Sequence, residues 1–421
     1  MPRNEQDSIE KQAFSHLKEL TIKKAYAIYG EIPEEVSKRL EYELSIIQKG
    51  EFAEMILALV ELHTFSKSRG EIVIYPCFTG TVAFCLGITP FDPKKHGLIF
   101  ERTVDIEKCR FSFLVIEHSA SRQLVRTFFA KRFGDACVCR EIGGIEFERQ
   151  EDAIVIKPTT DRAAVMNSAE ETWEKASVCG SCESEPDRSV SIDIRKKKAL
   201  SVIADTIEKI KATRGISIDI DRDIPDGDAK TYSEIIHTGC ADVFDLKDDD
   251  VSETLIRFKP DSINELAMTA TVSRYTKELI EIVIKRKLGE EQVHQIDPVV
   301  DAILRPTFGV PVFQEQLMHI LHYIGSFSMT EADVIRKALG MKKKDAIVVF
   351  REKFIGNAGR NGVQEQTAER IWSELEKAGA FLFNKAYALF VADVLYRLAW
   401  LKANYHREYS KSLDHGGQRE I

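Results

Sequence analysis

Apolar residues recur every three or four positions along most of this chain, and four short stretches depart from that spacing in favour of the alternation or continuous runs of strands. Val36, Leu40, Leu44 and Ile47 follow Pro33 at helical spacing and stop at Gly50, where a C-terminal cap is expected. Phe52, Ile56, Leu59 and Leu62 mark a second helix, from Phe52 to Ser66. Residues 1–30 are polar and helix-prone with weak periodicity, and read as a lead-in followed by a helix. The β-branched run Glu71-Ile72-Val73-Ile74-Tyr75 is a strand broken at Pro76. The turn Cys77-Phe78-Thr79-Gly80-Thr81 then leads into a small helix, Val82 to Leu86. Strand, glycine turn and helix together offer backbone N–H groups to a phosphate, although an ordinary tight connection has the same pattern.

The chain is organised around Cys109 to Glu117, where Phe111, Phe113, Leu114, Val115 and Ile116 form a buried strand that feeds an amphipathic helix from Arg122 to Arg132, closed by Gly134. In α/β proteins such a strand carries chemistry at its end. Apart from Glu117, this one has no carboxylate, histidine or metal ligand. Beyond it, Ala153-Ile154-Val155-Ile156 is a strand ended by Pro158, and residues 159–189 read as an exposed polar connection. Ser191-Ile192-Asp193-Ile194 is a short strand with one acid, ahead of a helix from Leu200 to Lys211. After an acidic loop, Asp219 to Asp228, the pattern is mostly helical. Helices are expected over Lys277–Lys287, along the stripe Phe313, Leu317, Ile320, Leu321 and Ile324, and over Gln366–Lys377 and Ala386–His406. Thr330-Glu331-Ala332-Asp333 has capping-box form ahead of another, ended by Gly340.

A length of 421 residues allows two or three domains with substantial cores. No run of about 18 apolar residues occurs, so no membrane span is expected, and the polar first residues do not read as a signal peptide; the cytoplasm is the expected location. A net charge of -8 excludes a globally basic nucleic-acid coat but not local basic clusters. Those clusters are Arg195-Lys196-Lys197-Lys198, Lys285-Arg286-Lys287 and Lys342-Lys343-Lys344, each of which reads equally as a solvated face. Of eight cysteines, Cys137 and Cys139, with Cys179 and Cys182, form two short-spaced pairs that would supply four thiolates to a structural zinc. The long gap between the pairs favours free thiols as the plainer reading.

Several ordered blocks resemble the alpha subunit of bacterial DNA polymerase III, the C-family polymerases. They are Arg39-Leu40-Glu41-Tyr42-Glu43-Leu44, Ile88-Thr89-Pro90-Phe91-Asp92-Pro93, Leu98-Ile99-Phe100-Glu101-Arg102, Phe258-Lys259-Pro260-Asp261, Pro306-Thr307-Phe308-Gly309, Gln314-Glu315-Gln316-Leu317-Met318, Asp333 to Lys344, Phe383-Asn384-Lys385 and Trp400 to Tyr405. The resemblance covers roughly residues 35–135 and 190–406. It implies an α/β palm, nucleotidyltransferase-like, with a mixed sheet and helices, plus a mostly α-helical fingers domain. The implied division is a lead-in at 1–30, palm at 31–135, a connection replacing the family thumb at 136–190, palm again at 191–216, fingers at 217–409 and a tail at 410–421. The family's PHP domain, thumb and clamp-binding tail are not expected.

The catalytic motif departs from the family. The family strand Pro-Asp-Phe-Asp-Val-Asp-Phe falls on Phe111 to Glu117, which places Ser112 and Leu114 at the two metal-binding aspartates and Ile116 at the next. The third family aspartate, in Lys-Phe-Asp-Phe-Leu-Gly-Leu, falls on Asp193. The loop that holds the triphosphate is shortened to Cys77-Phe78-Thr79-Gly80. Two-metal transfer needs two Mg²⁺ about 4 Å apart on protein carboxylates, and one acid cannot anchor a pair. The resemblance therefore implies a pseudo-polymerase that binds DNA, a nucleotide or a protein partner. Arg274, Arg336, Lys337, Lys342, Lys343, Lys344, Arg360 and Lys385 are its candidate contacts. The alternatives are an active Mg²⁺-dependent polymerase or nucleotidyltransferase using Asp105, Glu107 or Glu117 with Asp193, and a protein-interaction module on the same scaffold. For Glu117 to share the face of Asp193, the aligned strand must slip by an odd number of residues.

Overall fold

The computed structural model describes residues 3–105, 110–111, 114–119, 122–133, 137–142, 151–156, 190–238, 249–273 and 275–415. The chain divides into two compact units, the first comprising residues 1–95 and 99–201 and the second residues 96–98 and 202–421.

The first unit packs helices on a mixed sheet. Its helices are α1 (Arg3–Tyr29), α2 (Glu34–Gly50), α3 (Ala53–Ser68), α4 (Thr81–Leu86), the short α5 (Pro93–His96, whose last residue belongs to the second unit) and α6 (Arg122–Phe133). The strands are β1 (Val73–Ile74), β2 (Val104–Asp105), β3 (Arg110–Phe111), β4 (Leu114–His118), β5 (Cys137–Ile142), β6 (Glu151–Ile156) and β7 (Val190–Lys196). Five of them form one sheet in the order β1-β4-β7-β6-β5, and β2 pairs with β3 separately. The expected central strand is thus two pieces, because Arg110 and Phe111 pair back onto Asp105 and Val104 while Leu114 to His118 enter the larger sheet. Strands β4 and β7 run parallel, and the other pairings in the larger sheet are antiparallel.

Period two decides the two faces of that sheet. Val73, Ile116, Ile192 and Ile194 enter the apolar core with Ile56, Leu59 and Leu62 of α3 and Val125 and Phe129 of α6. Val115, Glu117, Asp193 and Arg195 therefore share the opposite face.

Residues 3–29 form one continuous helix rather than a lead-in with a helix after it. A narrow stripe of Leu17, Thr21 and Ala25 is fully buried, too thin to produce strong periodicity in a polar sequence. Helix α2 ends with Glu51, not Gly50, in the left-handed conformation (φ 57°). Gly50 serves close packing instead, since a Cβ there would lie 2.2 Å from the Phe52 ring.

The second unit is helical. Helix α7 (Lys198–Arg214) begins in the first unit and continues into it. It is followed by α8 (Ala229–Thr238), α9 (Asp249–Phe258), α10 (Ile263–Val272), α11 (Lys277–Lys287), α12 (Pro298–Leu304), α13 (Gln314–Tyr323), α14 (Met329–Gly340), α15 (Lys344–Arg360), α16 (Glu365–Ala378), α17 (Lys385–Asn404) and α18 (His406–His415). Helix α17 is apolar nearly all round and forms the axis of this unit, with Leu389, Ala392, Leu398 and Leu401 fully buried. It also holds the acidic loop: Arg397 donates to the Ile220 carbonyl at 3.0 Å, and the Tyr396 hydroxyl to that of Pro225 at 2.7 Å. The single helix expected over Ala386–His406 breaks at Tyr405, whose ψ of 46° leaves the helical region. The capping box of α14 is made by Ser328 and Glu331, not Thr330 and Asp333; Ser328 accepts from the Glu331 amide, and the Glu331 carboxylate accepts from that of Ser328.

Candidate functional site and basic corner

Two expected catalytic acids have described side chains, Asp193 on β7 and Glu117 on β4. Asp193 pairs in register with Val115 on one side and Ala153 on the other. Leu114 pairs with Ile192, and Ser112 lies outside the described residues. Glu117 reaches the face of Asp193 without any slip, because the structure pairs 115, not 114, with 193.

Both acids have basic neighbours. Arg195 Nη2 lies 3.3 Å from Asp193 Oδ2, and Lys197 Nζ lies 3.4 Å from Glu117 Oε1. The residue facing Asp193 across the strand pair is a fully buried valine. A two-ion centre needs hard anionic oxygens converging on each ion. The described donors do not fit one, and among the described residues no group of three or more His, Cys, Asp or Glu is gathered to hold a metal. Of the alternative acids, Glu117 is described, while the Asp105 side chain and Glu107 lie outside the described set.

The shortened loop has its polar groups turned inward. Cys77, Phe78 and Thr79 are buried, the Thr79 amide donates to Thr103 Oγ1 at 2.9 Å, and Thr79 Oγ1 donates to the Ile99 carbonyl. The amides that open α4 already have an anion. Glu43, wholly buried, accepts from Thr81 N at 3.0 Å and Val82 N at 2.9 Å. Arg39 Nε donates to Glu43 Oε1 at 2.9 Å, and its guanidinium reaches on to Glu101, which also accepts from the Tyr42 hydroxyl. Burial pushes the Glu43 carboxyl above its usual range, against the pull of Arg39 and the two amides. Gly80 makes this approach possible: its φ is +135°, and a Cβ would stand 2.7 Å from Phe100 and 2.8 Å from Glu43 Oε2. Sequence reading passed over this cluster, although Arg39 and Glu43 stand at i,i+4 on α2, the spacing of a helical ion pair.

In the second unit, Lys342, Lys343 and Lys344 form an exposed corner between α14 and α15. None of the three has an ion-pair partner among the described residues. Lys342 has a φ of 52°, and Lys343 is the residue before the first turn of α15. The corner follows the C-terminus of α14, whose dipole favours cations, and opens the N-terminus of α15, whose dipole opposes them, so the two helix ends work against each other there. Lys353 Nζ reaches Glu331 at 2.8 Å and ties the two helices as a hairpin. Arg336 and Lys337 both pair with Asp333, Arg336 being mostly buried and Lys337 exposed. Arg360 ends α15, about 24 Å along the helix from Lys344. Lys385 is set apart in another way: burial lowers its ammonium below the usual range, with Glu315 pulling the other way, and it lies over the Phe313 ring. Arg274 lies outside the described residues, as do Cys179, Cys182 and the side chains of Cys137 and Cys139, so the proposed zinc ligands have no geometry to report. Among the described residues, no helix is long and apolar enough to cross a membrane.

The mixed sheet with helices and the helical second unit are the class of arrangement the resemblance implied. Residues 15–217 match the bacterial DNA polymerase III alpha NTPase domain, and residues 199–362 match the bacterial DNA polymerase III alpha subunit finger domain. The chain belongs to the bacterial DNA polymerase III alpha-subunit family. It is similar to DNA polymerase III subunit alpha of Caulobacter vibrioides, at 26% identity over 98% of this chain and 43% of that protein. The same-named proteins of Aquifex aeolicus and Streptococcus pyogenes are each 24% identical, over 88% and 96% of this chain and 41% and 46% of their own lengths. The chain thus spans less than half the length of these relatives.

Proposed function

We propose that this chain is a palm-and-fingers derivative of the replicative polymerase family that has lost nucleotidyl transfer and keeps a nucleic-acid-binding role. The observation that carries the reading is the pairing of Val115 with Asp193, with Arg195 on the same carboxylate. Removing one group that neutralises developing charge costs about 3–4 kcal/mol, hundreds- to thousandfold in rate. A face whose two acids, Asp193 and Glu117, already have Arg195 and Lys197 beside them falls to background. The buried loop at Thr79 and the Glu43 carboxylate on the α4 amides support the same conclusion for triphosphate binding.

Binding is assigned to the α14–α15 corner, where three exposed lysines have no ion-pair partner among the described residues. The experiment is primer extension alongside anisotropy binding on one labelled primer–template. The reading expects no extension with Mg²⁺ or Mn²⁺. It expects binding that weakens steeply with salt, with a log–log slope reduced by roughly 2–3 when Lys342, Lys343 and Lys344 are changed to Ala. A protein partner is the second reading. It is favoured by the exposed aliphatic residues Val348 and Val349 one turn into α15, and salt-independent binding to DNA or none would point to it.

A further inference from the structure

The sheet face around Asp193 carries two acids and two bases. Asp193 and Arg195 alternate on β7, Glu117 stands on β4 beside Arg195, and Lys197 follows β7 within reach of Glu117. Asp193 and Arg195 are each about three-quarters buried, and Glu117 more so. Two carboxylates on one partly dehydrated face repel each other and are costly to desolvate unless a positive charge stands between them. Arg195 and Lys197 each bring a cation to one of the carboxylates of this face.

We infer that Arg195 and Lys197 are built-in counter-cations that take the electrostatic place of a metal ion and exclude one from the face of Asp193 and Glu117. A guanidinium meets the charge requirement of a carboxylate permanently, without needing further ligands or an open coordination position. The inference rests on the proposed loss of the metal centre but says what replaced it. Asp193 and Glu117 stand two residues out of register on neighbouring strands and so share a face, a diagonal from which long side chains can converge on one cation once the bases are gone.

The test is Mn²⁺ titration of the full chain, followed by the electron paramagnetic resonance of the free ion. The unsubstituted protein is expected to show no site that depends on Asp193. Arg195→Met with Lys197→Met is expected to gain one site, at least about tenfold tighter than any in the unsubstituted chain, and adding Asp193→Asn is expected to abolish it. If the double variant shows no cooperative melting, Arg195→Gln alone is read by the same criteria. A site in the unsubstituted chain that Asp193→Asn removes would overturn the inference, as would folded variants with no gain. Extension activity is not part of this readout: an inactive chain with an Asp193-dependent site sinks the inference alone, and an active chain without one sinks the proposed function alone.

Discussion

Val115 stands opposite Asp193 in the parallel pairing of β4 with β7, on the face of the sheet that does not enter the apolar core. It is fully buried there, so the position facing Asp193 is a packing position. Restoring an acid by substitution should not restore a site. Val115→Asp adds a buried charge beside an existing one, and is expected to destabilise the chain by about 3–5 kcal/mol, read in a denaturant melt.

The close approach of Glu43 to α4 is equally specific in its demand. Gly80→Ala is expected to cost about 2–4 kcal/mol, because the new Cβ meets Phe100 and Glu43 at a backbone angle that L residues avoid. Gly87→Ala is the control. Its φ is +79° but nothing lies within 4 Å of the added Cβ, so the cost should be about 1 kcal/mol. Equal losses in the two melts would contradict the packing argument.

Arg397 and Asp393 form a buried pair on α17, with Nε and Oδ2 2.7 Å apart. Burial raises the Asp393 carboxyl above its usual range even with Arg397 beside it, so each charge relies on the other. Arg397→Met is expected to lose about 3–5 kcal/mol by leaving an unpaired buried carboxylate and freeing the Ile220 carbonyl. Adding Asp393→Leu should recover much of that loss, a pattern that a double-mutant cycle reads directly.

Glu10 gives the chain a pH dependence. Its carboxylate accepts from Ala53 N at 2.7 Å and Glu54 N at 3.4 Å, which joins α1 to the start of α3. Burial, with the charges of Glu54 and Glu51 nearby, raises it from the usual 4.5 to about 7, although the two amide bonds pull down. The folded chain therefore holds this proton more tightly than the unfolded chain does. Its contribution is fully favourable below about 4.5 and is lost as pH rises through about 7. Glu10→Gln should flatten the fall in melting temperature over that window; an unchanged slope would assign it to other groups.

The helical unit was largely legible, because stripes such as Leu317, Ile320 and Leu321 repeat at the helical period and are buried as expected. What the sequence hid was side-chain parity. Anchoring the strand on its downstream residues places Leu114 at a family acid, whereas hydrogen-bonded register pairs Asp193 with Val115. A shift of one residue turns every side chain to the other face, and no composition or spacing reveals it. Period two alone does place Arg195 on the side of Asp193, and that signal was available. The burial of the Cys77 to Gly80 loop was not, since it depends on Thr103 and Glu43, distant in the chain. Glycine roles were also hidden: Gly50 has the place of a cap but works as a gap for Phe52.

The account stands or falls on nucleotide incorporation. Purified chain, supplied with primer–template, all four deoxynucleotides and saturating Mg²⁺ or Mn²⁺, is expected to extend no primer above a no-protein control. Robust extension that disappears on Asp193→Asn would contradict it.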